Sequence, residues 1–165
     1  VCVGEGHFDL LSLFVDGLVA LDIPLILDRL NYRYPSLLLD KVVEHVPGER
    51  IVAVKNVTVN EEYFQGHFPG QPIMPAVFSL ECIAQAGAFL LLNTLEDPLK
   101  KNAFISAIDG ARFRKPVVPG DQMRIEVVIA KRKLNICRFQ GSCFVDNTLV
   151  AGGLVSANIV DRAGA

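Results

Sequence analysis

The chain has 165 residues, 51% hydrophobic and 21% charged, a globular composition long enough for one core and too apolar for disorder. Its formal net charge of −2 does not indicate non-specific nucleic-acid binding, and its four cysteines contain no CxxC pair, which excludes the common zinc and redox motifs. A mean hydropathy of +0.36 is high for a monomer of this size and implies apolar surface buried against another subunit.

Phe8 to Leu21 is largely apolar, but Asp9, Asp16 and Gly17 interrupt it short of the ~20 residues that a membrane span needs. No Lys or Arg precedes Arg29, so neither a charged secretory leader nor an Arg-rich transit peptide is read there. Val1 in place of an initiator Met leaves a precursor open. Residues 1–21 are assigned as an accessory helix, and residues 22–165 as a single domain.

Ile23, Ile26, Leu27 and Leu30 mark one face of a short helix, with Asp22 as its cap and Pro24 in its first turn. Residues 37–46 read as an apolar strand, Pro47-Gly48 as a turn, and residues 50–59 as a returning strand. Three prolines and two glycines make residues 61–75 a loop. From Ala76 to Leu95 the chain is apolar nearly all round, with Gly87 the one helix breaker, so it predicts a helix buried on most faces and ended by Pro98. Strands follow over residues 103–114, 122–132, 135–145 and 148–160. Met123, Ile125 and Val127 alternate with Arg124 and Glu126, and Asp146-Asn147 forms a hairpin turn. Cys137 and Cys143 fall on one face of their strand, too far apart to bond, and reduced surroundings are expected. The class is α+β: about six antiparallel strands holding one long helix. A single sheet does not cover a helix apolar all round, so a second copy of the sheet is expected to complete the burial.

Between His67 and Glu96 the only acid or base is Glu81, set alone in the apolar helix. Two readings stand: a proton donor whose pKa is raised by desolvation, or a carboxylate that faces a solvent channel or caps a backbone group. His67, between Gly66 and Phe68-Pro69-Gly70, is a general base by residue type, whereas His45 and His7 read as ordinary polar residues. Met74-Pro75-Ala76-Val77 brings the helix start, with its free N–H groups and positive dipole end, directly after the loop. Base, carboxyl group and carbonyl-binding amides within 15 residues form a coherent set for elimination beside a thioester.

The ordered string Gly66-His67-Phe68-Pro69-Gly70-Gln71-Pro72-Ile73-Met74-Pro75, then Glu81 and Ala84-Gln85, resembles the FabZ-type 3-hydroxyacyl-acyl-carrier-protein dehydratases. Arg33-Tyr34-Pro35 with Leu37 to Asp40, and Phe113 to Asp121, are similar to the same family, and the spacing of 14 between His67 and Glu81 matches. The likeness covers roughly Ile23 to Val160. It implies a hot-dog fold that dimerises through its sheets, with a trimer of dimers open, and an active site in which His67 of one subunit faces Glu81 of the other. It further implies that His67 removes the C2 proton of a carrier-bound (3R)-3-hydroxyacyl chain, that Glu81 helps the C3 hydroxyl leave as water, and that the product is the trans-2-enoyl thioester of fatty acid biosynthesis. Helix-start amides hold the carbonyl, and no metal or organic cofactor is needed. Phe68, Gly70, Pro75, Ala76, Val77 and Gln85 are the implied substrate-binding residues. A sister family that also isomerises the double bond typically carries Asp in place of Glu81, which favours the simple dehydratase. The chain departs from the family at Ala76, usually Gly, and at Asn31-Tyr32, usually Pro-His.

Phe68, Val77, Phe78 and Ile108 are candidates for an apolar acyl tunnel or else ordinary core. Lys131-Arg132-Lys133, with Arg112, Arg114 and Lys115, are candidates to dock an acidic carrier protein or else a solvated hairpin end. A cytoplasmic setting is expected, or a plastid-type organelle in a eukaryote. The alternatives are a hot-dog acyl thioesterase, which would not require His67 before Phe-Pro-Gly, and an acyl-thioester-binding regulatory module, which predicts a basic nucleic-acid-binding segment.

Overall fold

A computed structural model describes residues 21–162; the accessory segment, apart from Leu21, lies outside the described residues. A short helix α1 (Ile23–Leu27) precedes the hairpin β1 (Lys41–Val46) and β2 (Arg50–Asn56). The long helix α2 (Val77–Leu92) follows, and then β3 (Lys101–Phe113), β4 (Gln122–Lys133), β5 (Ile136–Val145) and β6 (Thr148–Asp161). All six strands form one antiparallel sheet in the order β1-β2-β4-β5-β6-β3.

Period-2 alternation builds the inner face. Met123, Ile125 and Val127 of β4 are buried, while Arg124 and Glu126 between them pair with each other on the outer face. Cys137, Phe139 and Cys143 of β5 share that inner face, and all three described cysteines are free thiols. Asp146 and Asn147 both adopt positive φ (46° and 60°), as a two-residue hairpin turn with the right twist requires.

The helix lies against this face. Every residue from Ser79 to Leu92 is buried except Glu81, so one chain already covers α2. That corrects the expectation that a second sheet would be needed to bury it. The remaining face is closed by Ile26, Leu30, Leu38 and Leu39 from the segment before β1. Gly87 explains itself here. A Cβ at this position would sit 2.6 Å from the Phe139 ring, so only glycine allows helix and sheet this close.

Several boundaries move for identifiable reasons. Residues 37–40 are not strand, because the Leu38 N–H donates to the Gln85 side chain and not to a neighbouring strand. β2 is assigned only to Asn56, although the Val57 N–H still donates to the Asp121 carbonyl in register with β4. α2 ends at Leu92 instead of Leu95, as the Thr94 and Leu95 amides tighten onto the carbonyls three residues back. Asp22 precedes α1 without a side-chain capping bond.

Edge strand β3 is the exception to the buried pattern. Phe104, Ile105, Ile108 and Phe113 lie exposed along it, and Val77 at the start of α2 is exposed too. Among the described residues no helix is long and apolar enough to cross a membrane.

Candidate active site

The loop between β2 and α2 is tied down at both ends. Lys55, near the end of β2, is buried and paired with Glu61, just before a 3-10 turn over Glu62–Gln65. The His67 N–H then donates to the Tyr63 carbonyl. Phe68 and Gln71 exchange two backbone hydrogen bonds of 3.0 and 2.9 Å across Pro69-Gly70, and Gly70 takes φ +78°. Proline at the first central position and positive-φ glycine at the second are what a type II turn demands. The turn folds the chain back so that the Ile73 N–H reaches the His67 carbonyl at 2.9 Å, while the Met74 N–H is held by Val117.

This fold-back fixes the imidazole. His67 Nδ1 lies 2.7 Å from the Ile73 carbonyl oxygen. A carbonyl only accepts, so Nδ1 carries the proton and Nε2 of the neutral ring keeps its lone pair. The ring stacks on Phe68 with centroids 3.9 Å apart.

Ala76 precedes α2 with φ −59°, ordinary right-handed backbone that needs no glycine. The Phe78 N–H donates to Pro75 and the Ser79 N–H to Ala76, so the helix-start amides without a backbone acceptor among the described residues are those of Ala76 and Val77. Ala76 borders a cavity of about 250 Å³ together with Ile73, Ser79, Arg114 and Lys115.

Glu81, one turn further along, is half-buried and borders a cavity of about 500 Å³ with Tyr32, Pro35, Val77 and Phe78. It is not an unpaired carboxylate in a dry core. Gln85, four residues on and therefore on the same helix face, donates its amide to Glu81 Oε1 at 2.9 Å. The same amide nitrogen donates to the Ser36 carbonyl at 2.8 Å, and Gln85 Oε1 accepts the Leu38 N–H at 2.9 Å. Gln85 is fully buried, so it clamps Glu81 to the segment before β1. Burial, and then the nearby Glu81 carboxylate, raise the Tyr32 hydroxyl above its ordinary value of 10.

Among the described residues no hydrogen bond joins His67 to Glu81 within one chain. Of the tunnel candidates, Phe68, Val77 and Ile108 are exposed, whereas Phe78 is half-buried and packs against the core; Val77 and Phe78 border the Glu81 cavity. The basic candidates separate. Arg132 reaches Thr94 beyond the C-terminal end of α2, whereas Arg114 and Lys115 share the Ala76 cavity at its N-terminal end. A 16-residue helix is roughly 24 Å long, so these are two patches and not one. Two features escaped sequence reasoning, the buried Lys55–Glu61 pair and the position of Tyr32 beside Glu81. Asn31-Tyr32 had shown only as a departure from a motif. Among the described residues no group of His, Cys, Asp or Glu is arranged to hold a metal ion.

An antiparallel sheet wrapped on one buried helix, with the His67 loop leading into the free helix-start amides and Glu81 one turn along, is a hot-dog protein. The chain belongs to the FabA-like domain family, whose model matches residues 30–153. It is 46% identical over 143 residues to the 3-hydroxyacyl-(acyl-carrier-protein) dehydratase FabZ of Myxococcus xanthus, which covers 86% of this chain and 94% of that one. The solved dehydratase heterocomplex ApeI:P from Xenorhabdus doucetiae has the same fold at a TM-score of 0.69, with 14% identity over 83% of this chain and 91% of that one. A hot-dog-like protein from Thermanaerovibrio acidaminovorans matches at a TM-score of 0.58, with 19% identity over 72% and 85% of the two chains.

Proposed function

We propose that this chain is a 3-hydroxyacyl-acyl-carrier-protein dehydratase of fatty acid biosynthesis in which His67 is the base and Glu81 the acid. The observation that carries the roles is the bond from His67 Nδ1–H to the Ile73 carbonyl, which leaves Nε2 free to accept a proton. Nε2 takes the C2 proton of the (3R)-3-hydroxyacyl thioester. The released electron pair forms the C2–C3 double bond, the C3–O bond breaks, and the hydroxyl takes a proton from Glu81 and leaves as water. The Ala76 and Val77 amides donate to the thioester carbonyl oxygen as negative charge grows on it. Phe68, Gly70, Pro75 and Val77 complete the substrate contacts, and the fully buried Gln85 serves the substrate by holding Glu81 in place.

The site is completed by a second copy. The exposed apolar stripe on β3, the lack of a His67–Glu81 hydrogen bond within a chain, and a high overall hydropathy all support a homodimer joined edge to edge through β3. The acidic carrier protein docks at Arg114 and Lys115, beside the free amides, and free thiols at Cys82, Cys137 and Cys143 suit a cytoplasmic setting.

Turnover is read from loss of enoyl absorbance when crotonyl thioester is hydrated. His67→Ala and Glu81→Gln should each lower it ~10²–10⁴-fold, and the double variant should be little worse than either. Mixing the two inactive single variants under subunit exchange should restore part of the activity. Wild-type rates in either single variant would remove the roles assigned here, and no recovery on mixing would place both residues within one subunit.

A further inference from the structure

We propose that Tyr32 sets the length of acyl chain the site accepts, an inference that rests on the dehydratase reading above. Two cavities lie along the same side of α2. One, of about 500 Å³, contains Glu81 with Val77 and Phe78 at the N-terminal end of the helix. The other, of about 240 Å³, is bounded by Leu92, Ala103 and Phe104 at the C-terminal end, with Asn102 and Lys101 beside them. Among the described residues Tyr32 alone borders both. Glu81 and Leu92 are eleven helix positions apart, roughly 16 Å along the axis. An acyl chain whose head lies at Glu81 and whose tail runs along the helix therefore meets the Tyr32 ring before it reaches the second cavity.

The ring is held as a partition and not as a flap. On one side the Asn31 amide donates to the Leu99 carbonyl at 2.8 Å, to the Lys101 carbonyl at 3.1 Å and to Asn102 Oδ1 at 3.1 Å, binding this segment to the start of β3. On the other side the Arg33 guanidinium donates to the Leu30 and Tyr32 carbonyls at 2.7 and 2.8 Å. The backbone on both sides of Tyr32 is thus pinned, and its ring packs against the core. A rigid aromatic at a tunnel's waist discriminates by volume, and each methylene accepted or refused changes specificity by about tenfold or more.

The test compares kcat/KM for sixteen-carbon and four-carbon 3-hydroxyacyl thioesters in the full chain. In Tyr32→Ala the long-to-short ratio should rise about tenfold or more, carried mainly by KM of the long substrate. Tyr32→Phe, which keeps the ring and removes the hydroxyl, should keep the wild-type ratio. If Tyr32→Ala does not fold, Tyr32→Leu should shift the ratio in the same direction by less. An unchanged ratio in a folded Ala or Leu variant, or a shift in Tyr32→Phe as large as theirs, would overturn the proposal. Calorimetric affinities for saturated butyryl and palmitoyl thioesters give the same ratio without turnover. A protein that binds both yet dehydrates neither therefore refutes the dehydratase reading and still decides the role of Tyr32.

Discussion

Replacing Gln85 by Leu separates what this side chain does for the fold from what it does for Glu81. The two side chains are similar in volume, and the site is fully buried, so no cavity is opened. What is lost is a set of three hydrogen bonds. The Ser36 carbonyl belongs to an exposed residue and can turn to water, but the Leu38 N–H is buried and would be left without an acceptor. An unsatisfied buried donor costs about 1–3 kcal/mol. At roughly 2–4 °C per kcal/mol for a chain of this size, that is a fall in Tm of several degrees. The second effect falls on activity, because the Glu81 carboxylate loses the amide that orients it, and misplacement of this kind lowers kcat by about 10- to 100-fold. Thermal melts and the crotonyl assay read the two effects separately. Gln85→Glu adds a pH signature. Protonated, the new carboxyl still accepts from Leu38 and donates to Glu81. Ionised, it sets two carboxylates where amide and carboxylate now stand 2.9 Å apart. The activity of this variant, relative to wild type, should therefore fall as pH rises through the titration of the pair and recover on acidification. Wild-type Tm and kcat in Gln85→Leu would refute the view that Gln85 holds the site together.

Ala76→Gly should leave short-chain turnover within about tenfold, since the donor is a backbone N–H and φ is already −59°. Any gain should come first on longer or bulkier acyl chains, and a rise of several orders of magnitude on a short substrate would show that the natural chain is a poor dehydratase. Gly87→Ala should destabilise by about 1–3 kcal/mol in urea titrations, because the added methyl meets the Phe139 ring at 2.6 Å, and an unchanged midpoint would contradict that close approach. His45 is buried on β1 and burial lowers its pKa below the ordinary 6.5. The unfolded chain therefore takes up this proton first as pH falls, so stability should decline from about pH 6.5 downward and level off below the folded value. His45→Gln should flatten that slope in urea midpoints taken at several pH values, and an identical slope would assign it to other groups.

The sequence by itself determined what depends on period and local chemistry. Alternation in β4 decided which residues face the helix, Asp146-Asn147 decided a hairpin, and the prolines and glycines of residues 61–75 decided the loop that precedes the helix. The apolar run decided that α2 is buried, the rarity of acids and bases within it singled out Glu81, and residue type with the flanking Gly66 and Phe68-Pro69-Gly70 singled out His67. Tertiary structure decided what depends on residues distant in the chain. Leu38 left the sheet because Gln85, 47 positions later, took its N–H. One sheet sufficed for α2 because the segment before β1 closes the last face, an arrangement with no periodic signal. The basic side chains fell at opposite ends of the helix, and Tyr32 came to stand beside Glu81, because strand order and the anchoring of Asn31 set their positions. The proton on His67 Nδ1 was equally invisible in one dimension. It follows from a carbonyl six residues away that only the folded turn brings to 2.7 Å.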